Sequence, residues 1–116
     1  METHTKTIKV FKSRNNQCPF FTWLNSLKNE LDRMRILARI DRLAAGNFGD
    51  SKSVGSGVQE LRIHHGPGYR VYFTRCDDVI VLLLTGGDKS SQSKDIEKAR
   101  KFFLEFKSEG CYETYR

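Results

Sequence analysis

The chain has 116 residues, with 20 Lys or Arg against 14 Asp or Glu, a formal charge of +6 and a pI near 9.4. That length sustains one hydrophobic core without metal or disulfide support, so a single domain is expected over residues 1–107, with a polar tail over 108–116. No run of about 18 apolar residues is present to span a bilayer, the amino terminus lacks the apolar centre of a signal peptide, and Cys18, Cys76 and Cys111 are spaced like reduced thiols of a cytoplasmic protein.

Thr5–Phe11 alternates as a first strand with Ile8 and Val10 inward. Ser13–Gln17 is a polar loop, and Pro19 suits the first position of a helix carrying Phe20, Trp23, Leu24 and Leu27 on its core face. A second helix runs from Glu30 to Ala45 and stops at Gly46, a residue fitted to a C′ cap. Ile36, Leu37, Ile40, Leu43 and Ala44 form its apolar face. Arg35, Arg39 and Arg42 fall on another stripe. It is either a solvated helix face or a contact for RNA phosphates or an acidic partner, since guanidinium forks match phosphate oxygens. Asn47–Gly57 is Gly/Ser-rich and aperiodic, and is expected to be a loop.

Three strands follow. Leu61 and Ile63 alternate with Glu60, Arg62 and His64; Gly66-Pro67-Gly68 makes the turn. Tyr69, Val71 and Phe73 then alternate with Arg70, Tyr72 and Thr74, so Arg70 and Tyr72 share a face. Val79–Leu84 is apolar on both faces and reads as a central strand. Gly86-Gly87-Asp88-Lys89 closes the run, and Ser90–Lys107 is a last helix with Ile96, Ala99, Phe103 and Phe106 inward and Ser91 or Ser93 as its cap. Ser108–Arg116 is expected to be mobile. The order β-α-α-β-β-β-α predicts an α+β fold: an antiparallel sheet with a helical hairpin and a C-terminal helix on one side.

Between Lys52 and Arg75 stand four cations and one acid, Glu60. Arg62, Arg70 and Lys89 converge on one sheet end and suggest a phosphate site, although ordinary ion pairs with Glu60 or Asp88 would also explain the arginines. His64 and His65 titrate near neutrality when unperturbed, and His64 shares parity with Arg62. Tyr72 either packs in the sheet or stacks on a base; Gln92 either bonds a base or starts the last helix. No cysteine or histidine pair has metal-ligand spacing, so neither metal nor cofactor is expected. RNA carries its own nucleophile, the ribose 2′-OH. Prealigned cations can therefore promote its cleavage by stabilising the crowded phosphorane-like anion.

PFFTWLNSL (Pro19–Leu27), LARIDRLAAGNFGD (Leu37–Asp50), ELRIHHGPGYRVYF (Glu60–Phe73) and VLLLTGGDKSSQSKDIEKA (Val81–Ala99), in this order and spacing, resemble the HigB-like killer proteins of the RelE/ParE toxin superfamily. The resemblance implies a RelE-like fold and a cognate HigA-like, DNA-binding antitoxin encoded alongside. In most of the superfamily it also implies cleavage of messenger RNA on the ribosome; ParE-type members poison DNA gyrase instead. It places Arg62 and Arg70 at the scissile phosphate and Lys89 where RelE-type toxins carry a further cation. The tyrosine that RelE-type nucleases place on the final helix has no counterpart in Ser93–Ala99. A gyrase inhibitor and an inactive homologue that retains antitoxin binding therefore remain as other readings. An antitoxin has two surfaces to choose from, the Arg35/Arg39/Arg42 stripe and the strand face, and the long regular track of the stripe favours the former.

Overall fold

Side-chain alternation assigns the strand residues to two faces, and the computed structural model, which describes residues 5–115, packs helices on both. The elements are β1 (Thr7–Phe11), α1 (Pro19–Ser26), α2 (Glu30–Ala44), β2 (Ser51–Gly55), β3 (Val58–Ile63), β4 (Tyr69–Arg75), β5 (Ile80–Gly87), a 3₁₀ turn (Lys89–Ser91), α3 (Gln92–Glu109) and β6 (Tyr112–Thr114). They form a mixed α+β domain around one six-stranded sheet of order β2-β3-β4-β5-β1-β6.

Ile8, Val10, Leu61, Ile63, Val71, Phe73, Val81 and Leu83 meet Phe20 and Leu24 of α1 and Ile36, Ile40 and Leu43 of α2. Phe11, Val58, Tyr72, Leu82 and Leu84 point the other way, to Ala99, Ile96, Phe102, Phe103 and Phe106 of α3. The expectation of helices on one side is thus corrected. Strands buried on both faces need cover on both, and β5 is apolar on each side because of it.

The sheet differs from the sequence reading in three further ways. β1 runs parallel to β5, with Thr7 beside Ile80 and Val10 beside Leu83, so the sheet is mixed rather than antiparallel. Alternation cannot reveal this, since parallel and antiparallel strands share a period of two. Ser51–Gly55, expected as loop, is the edge strand β2; its largely exposed side chains leave no apolar period to detect. Residues of the expected tail form β6, paired antiparallel to β1 and anchored by Lys12 Nζ at 2.7 Å from Glu113 Oε1.

Helix ends follow local chemistry. Pro19 opens α1, Asn29 caps α2 by accepting from the Asp32 amide at 3.1 Å, and Gly46 ends it at φ +91°. Ser91 stands at the N-cap of α3 without a capping bond; its hydroxyl donates instead to Asp95 Oδ2 at 2.5 Å.

A register shift between β4 and β5 brings the end of the sheet into functional order. Tyr72 opposes Thr85, yet Phe73 opposes Leu83, leaving Leu84 as the extra residue of a bulge. Beyond it Gly86 lies under the Trp23 ring and Gly87 under the Asp95 carboxylate, where a Cβ would stand 2.2 and 1.8 Å from the nearest atoms. Two glycines let α1 and α3 close on the sheet beside Arg70. Among the described residues no helix is long and apolar enough to cross a membrane.

Candidate functional site

Arg62 and Arg70 are register partners on β3 and β4. Like charges directly opposite one another repel, so the pair needs a counter-ion. Glu60 supplies it. Two residues before Arg62 and fully buried, its Oε1 accepts from Arg62 Nε at 3.1 Å, and its Oε2 lies 3.7 Å from Arg70 Nε. Oε2 also accepts from Gln92 Nε2 at 2.8 Å and from the Tyr72 hydroxyl at 3.1 Å. Burial works to raise the Glu60 carboxyl, but the bonds from Gln92, Arg62 and Tyr72 and the charge of Arg70 outweigh it, and the group is held below the usual range. Tyr72 is shifted the other way, upward, by its burial and by Glu60's charge.

This scaffold fixes both guanidiniums from beneath. The Arg62 side chain is 29% exposed and that of Arg70 12%. Arg70 Nη1 donates to Gly68 O at 2.5 Å, and its buried Nε has no hydrogen-bond partner, so charge rather than a hydrogen bond orients that side of the fork. Gly68, at φ +79°, also leaves room for Arg70: a Cβ there would stand 3.1 Å from Nη1. Lys89 follows β5 on the 3₁₀ turn, with its amide against Pro67 O. Arg62, His64, His65, Gly68, Arg70 and Lys89 line one depression of about 500 Å³.

The histidines divide. His64 is largely exposed on the rim, its Nε2 2.5 Å from Asp50 Oδ2. His65 turns towards α2, with Nε2 2.7 Å from Asp32 Oδ1, while the Tyr69 hydroxyl donates to Asp32 Oδ2 at 2.6 Å. Asp32 thereby clasps the β3–β4 turn. The Tyr69 bond, and His65 after it, hold Asp32 below the usual carboxylate range, and Tyr69 is pushed up to about 12. Asp50 is likewise depressed, chiefly by His64.

The structure therefore gathers Arg62, Arg70, Lys89 and His64 at one surface and sorts the other candidates by burial. Tyr72 does share the face of the arginines, but it is fully enclosed and offers no ring face to a base, which corrects its assignment as an RNA contact; its hydroxyl donates to Glu60 instead. Gln92 starts α3 and at the same time holds Glu60. The ion pairs of Arg62 and Arg70 with Glu60 that the sequence offered are present, but beneath the site, with Glu60 buried as their scaffold; Asp50 and Asp32 escaped the sequence reading as organising residues. Glu60 carried a usable signal, being the one acid in a basic stretch and matched in parity to Arg62; Asp32 and Asp50 reach the site from other elements and carried none.

The arginine stripe of α2 is not a separate surface. Arg35, Arg39 and Arg42 line a second depression of about 420 Å³ whose opposite wall includes Asp50, Arg62 and His64. The two depressions share Arg62, Ile63, His64 and His65. Arg39 lies against Gly49, where a Cβ would stand 2.6 Å from Nη2, and its burial and the charge of Arg42 lower its proton affinity against the pull of Asp50.

Residues 22–103 match the family of phage-derived Gp49-like proteins (DUF891), and the chain is 56% identical over 81 residues to an uncharacterised protein of Haemophilus influenzae, covering 70% of this chain and 82% of that one. The chain belongs to the Gp49-like family, which is associated with toxin–antitoxin modules and so implies an antitoxin partner.

Proposed function

We propose that this Gp49-like protein is the toxin of its module, with a RelE-like architecture, and that it cleaves messenger RNA on the ribosome by attack of the ribose 2′-OH. The observation that carries the reading is the opposed Arg62–Arg70 pair held over buried Glu60, with Lys89 across the same depression. A phosphodiester in that depression meets guanidinium N–H groups whose direction is set before it arrives. Donors prealigned to developing charge lower a barrier most effectively, because nothing has to reorganise as the reaction proceeds.

In the proposed reaction the 2′-oxygen forms a bond to phosphorus as the 5′-oxygen leaves. The 2′-OH gives up a proton and the departing oxygen takes one, so the products are a 2′,3′-cyclic phosphate and a 5′-OH. His64 is the side chain suited to that exchange: Asp50 engages Nε2, which leaves Nδ1 to face the RNA. Arg62 and Arg70 hold the phosphate oxygens, and Lys89 adds charge from the turn. The A site would supply what the chain lacks, alignment of the message for in-line attack. A HigA-like antitoxin that covers either depression screens both, since they share a wall.

End analysis of messages cut after induction tests the chemistry. The expected products bear a 5′-OH and a 2′,3′-cyclic phosphate or its hydrolysis product, and cutting persists in EDTA once ribosomal magnesium is controlled for. Fragments with 5′-phosphate and 3′-OH would show attack by water and overturn the 2′-OH mechanism.

A further inference from the structure

We infer that the depression between α2 and the β2–β3 side of the sheet is a second phosphodiester-binding site, which takes the backbone of the RNA strand next to the position that is cut. The inference rests on the RNA-cleaving reading of the strand face and extends it to Arg35, Arg39 and Arg42, which have no role in that chemistry.

Continuity is the first argument. Arg62 and His64 wall both depressions, so a chain leaving the Arg62–Arg70 site on that side passes directly onto Arg39. Charge is the second. Arg35, Arg39, Arg42 and Arg62 face a space lined by a single carboxylate, Asp50, which is already engaged with His64. Arg39 lies against Gly49, partly buried, and the charge of Arg42 adds to its burial in lowering its proton affinity. An excess of cations over carboxylates of this kind suits a partner that brings negative charge.

The third argument decides which part of the RNA binds. The walls carry four guanidiniums, two imidazoles, one carboxylate and no Phe, Tyr or Trp, so charge matched to phosphate oxygens, rather than stacking on a large aromatic ring, is the main recognition they offer. Arg35 and Arg39 lie about one helical turn, ~6 Å, apart along α2, a step comparable to that between successive phosphates of an extended strand. Contacts of this kind fix register without reading sequence. The site would hold the message in place while the strand face acts on one phosphate.

The test is binding of the full-length chain to a fully 2′-O-methylated oligoribonucleotide, which lacks the nucleophile and cannot be cut, followed by fluorescence anisotropy across a salt series. Arg35→Ala/Arg39→Ala should weaken binding several-fold at low salt and flatten the slope of log K against log salt by about 0.7 per lost phosphate contact. Because Arg39 packs on Gly49, Arg35→Ala/Arg42→Ala, which removes two exposed side chains, is measured beside it and should flatten the slope similarly. Unchanged affinity and slope in both variants would overturn the inference even if messages are still cut, as would failure of the parent to bind the probe. Unchanged RNA binding with weakened antitoxin capture would assign the stripe to the antitoxin instead. Arginine-dependent binding of the probe by a protein that cuts no message would leave this site standing and remove the nuclease reading.

Discussion

The two basic regions of this protein are built on opposite plans. On the strand face, Arg62 and Arg70 stand over a buried carboxylate that Gln92 and Tyr72 hold in turn, and neither guanidinium base is free to wander. On α2, Arg39 feels the charge of Asp50, which is bonded to His64, while Arg35 and Arg42 are exposed, and among the described residues no buried carboxylate lines their depression. Stabilising a transition state requires donors fixed in direction. Attracting a polyanion requires only charge at close range. The contrast teaches that a count of cations says little about chemistry; what lies beneath them separates a reacting surface from a binding one.

The most severe way to break this contrast is to change the better-held arginine. Arg70→Ala should lower message cleavage by about 10²–10³-fold, the loss typical of a donor to a developing oxyanion, and should abolish growth inhibition at equal expression. Arg70→Lys keeps the charge and loses the fork, so it separates loss of the phosphate contact from loss of Glu60's counter-ion. Toxicity equal to the parent in either variant would remove Arg70 from the site.

Glu60→Gln attacks the scaffold rather than the arginines. The side chain keeps its size but presents an amide to donors on several sides, and the arginines lose the charge that places them. Cleavage should fall by roughly tenfold or more, and stability by about 1–3 kcal/mol, as expected when buried donors lose their acceptor. The sign of the pH effect follows from the depressed Glu60 carboxyl. Its contribution is complete above the ordinary value of 4.5 and is lost as pH falls through the lower folded value. Below pH 4.5 the parent's thermal midpoint should therefore drop more steeply than that of the glutamine variant. Parallel profiles would show that Glu60 is not the ionised keystone described here.

Smaller effects sharpen the comparison. His64→Gln should slow cutting by roughly tenfold, less than the 10²–10⁴-fold of an efficient acid–base group, because the ring is exposed; the product ends should not change. A rate equal to the parent's would return His64 to a rim ion pair with Asp50. Lys89→Ala should cost only a few-fold, since its ammonium extends from a turn and lacks the support of Glu60.

Much of this arrangement was written in local patterns. Pro19 and Gly46 mark helix ends, and alternation along Glu60–Thr74 places Arg62, Arg70 and Tyr72 on one face without reference to any structure. What escaped depends on contacts between distant segments. β1 pairs in parallel with β5, 73 residues along at Thr7 and Ile80, and β2 and β6 are polar edge strands with little apolar signal. Parity put Tyr72 beside the arginines but could not reveal the lid of α3 that encloses it. The division of His64 and His65 is set by Asp50 and Asp32, on a loop and a helix that neither histidine's own strand predicts.

The central claim is that the strand face cuts messages during translation, and mapping 5′ ends of messages in a translating extract supplied with the protein tests it most directly. The account predicts new 5′-OH ends in phase with codons, which appear only while ribosomes engage the message and disappear with Arg70→Ala. Intact messages, together with cleaved supercoiled DNA when gyrase is present, would contradict it.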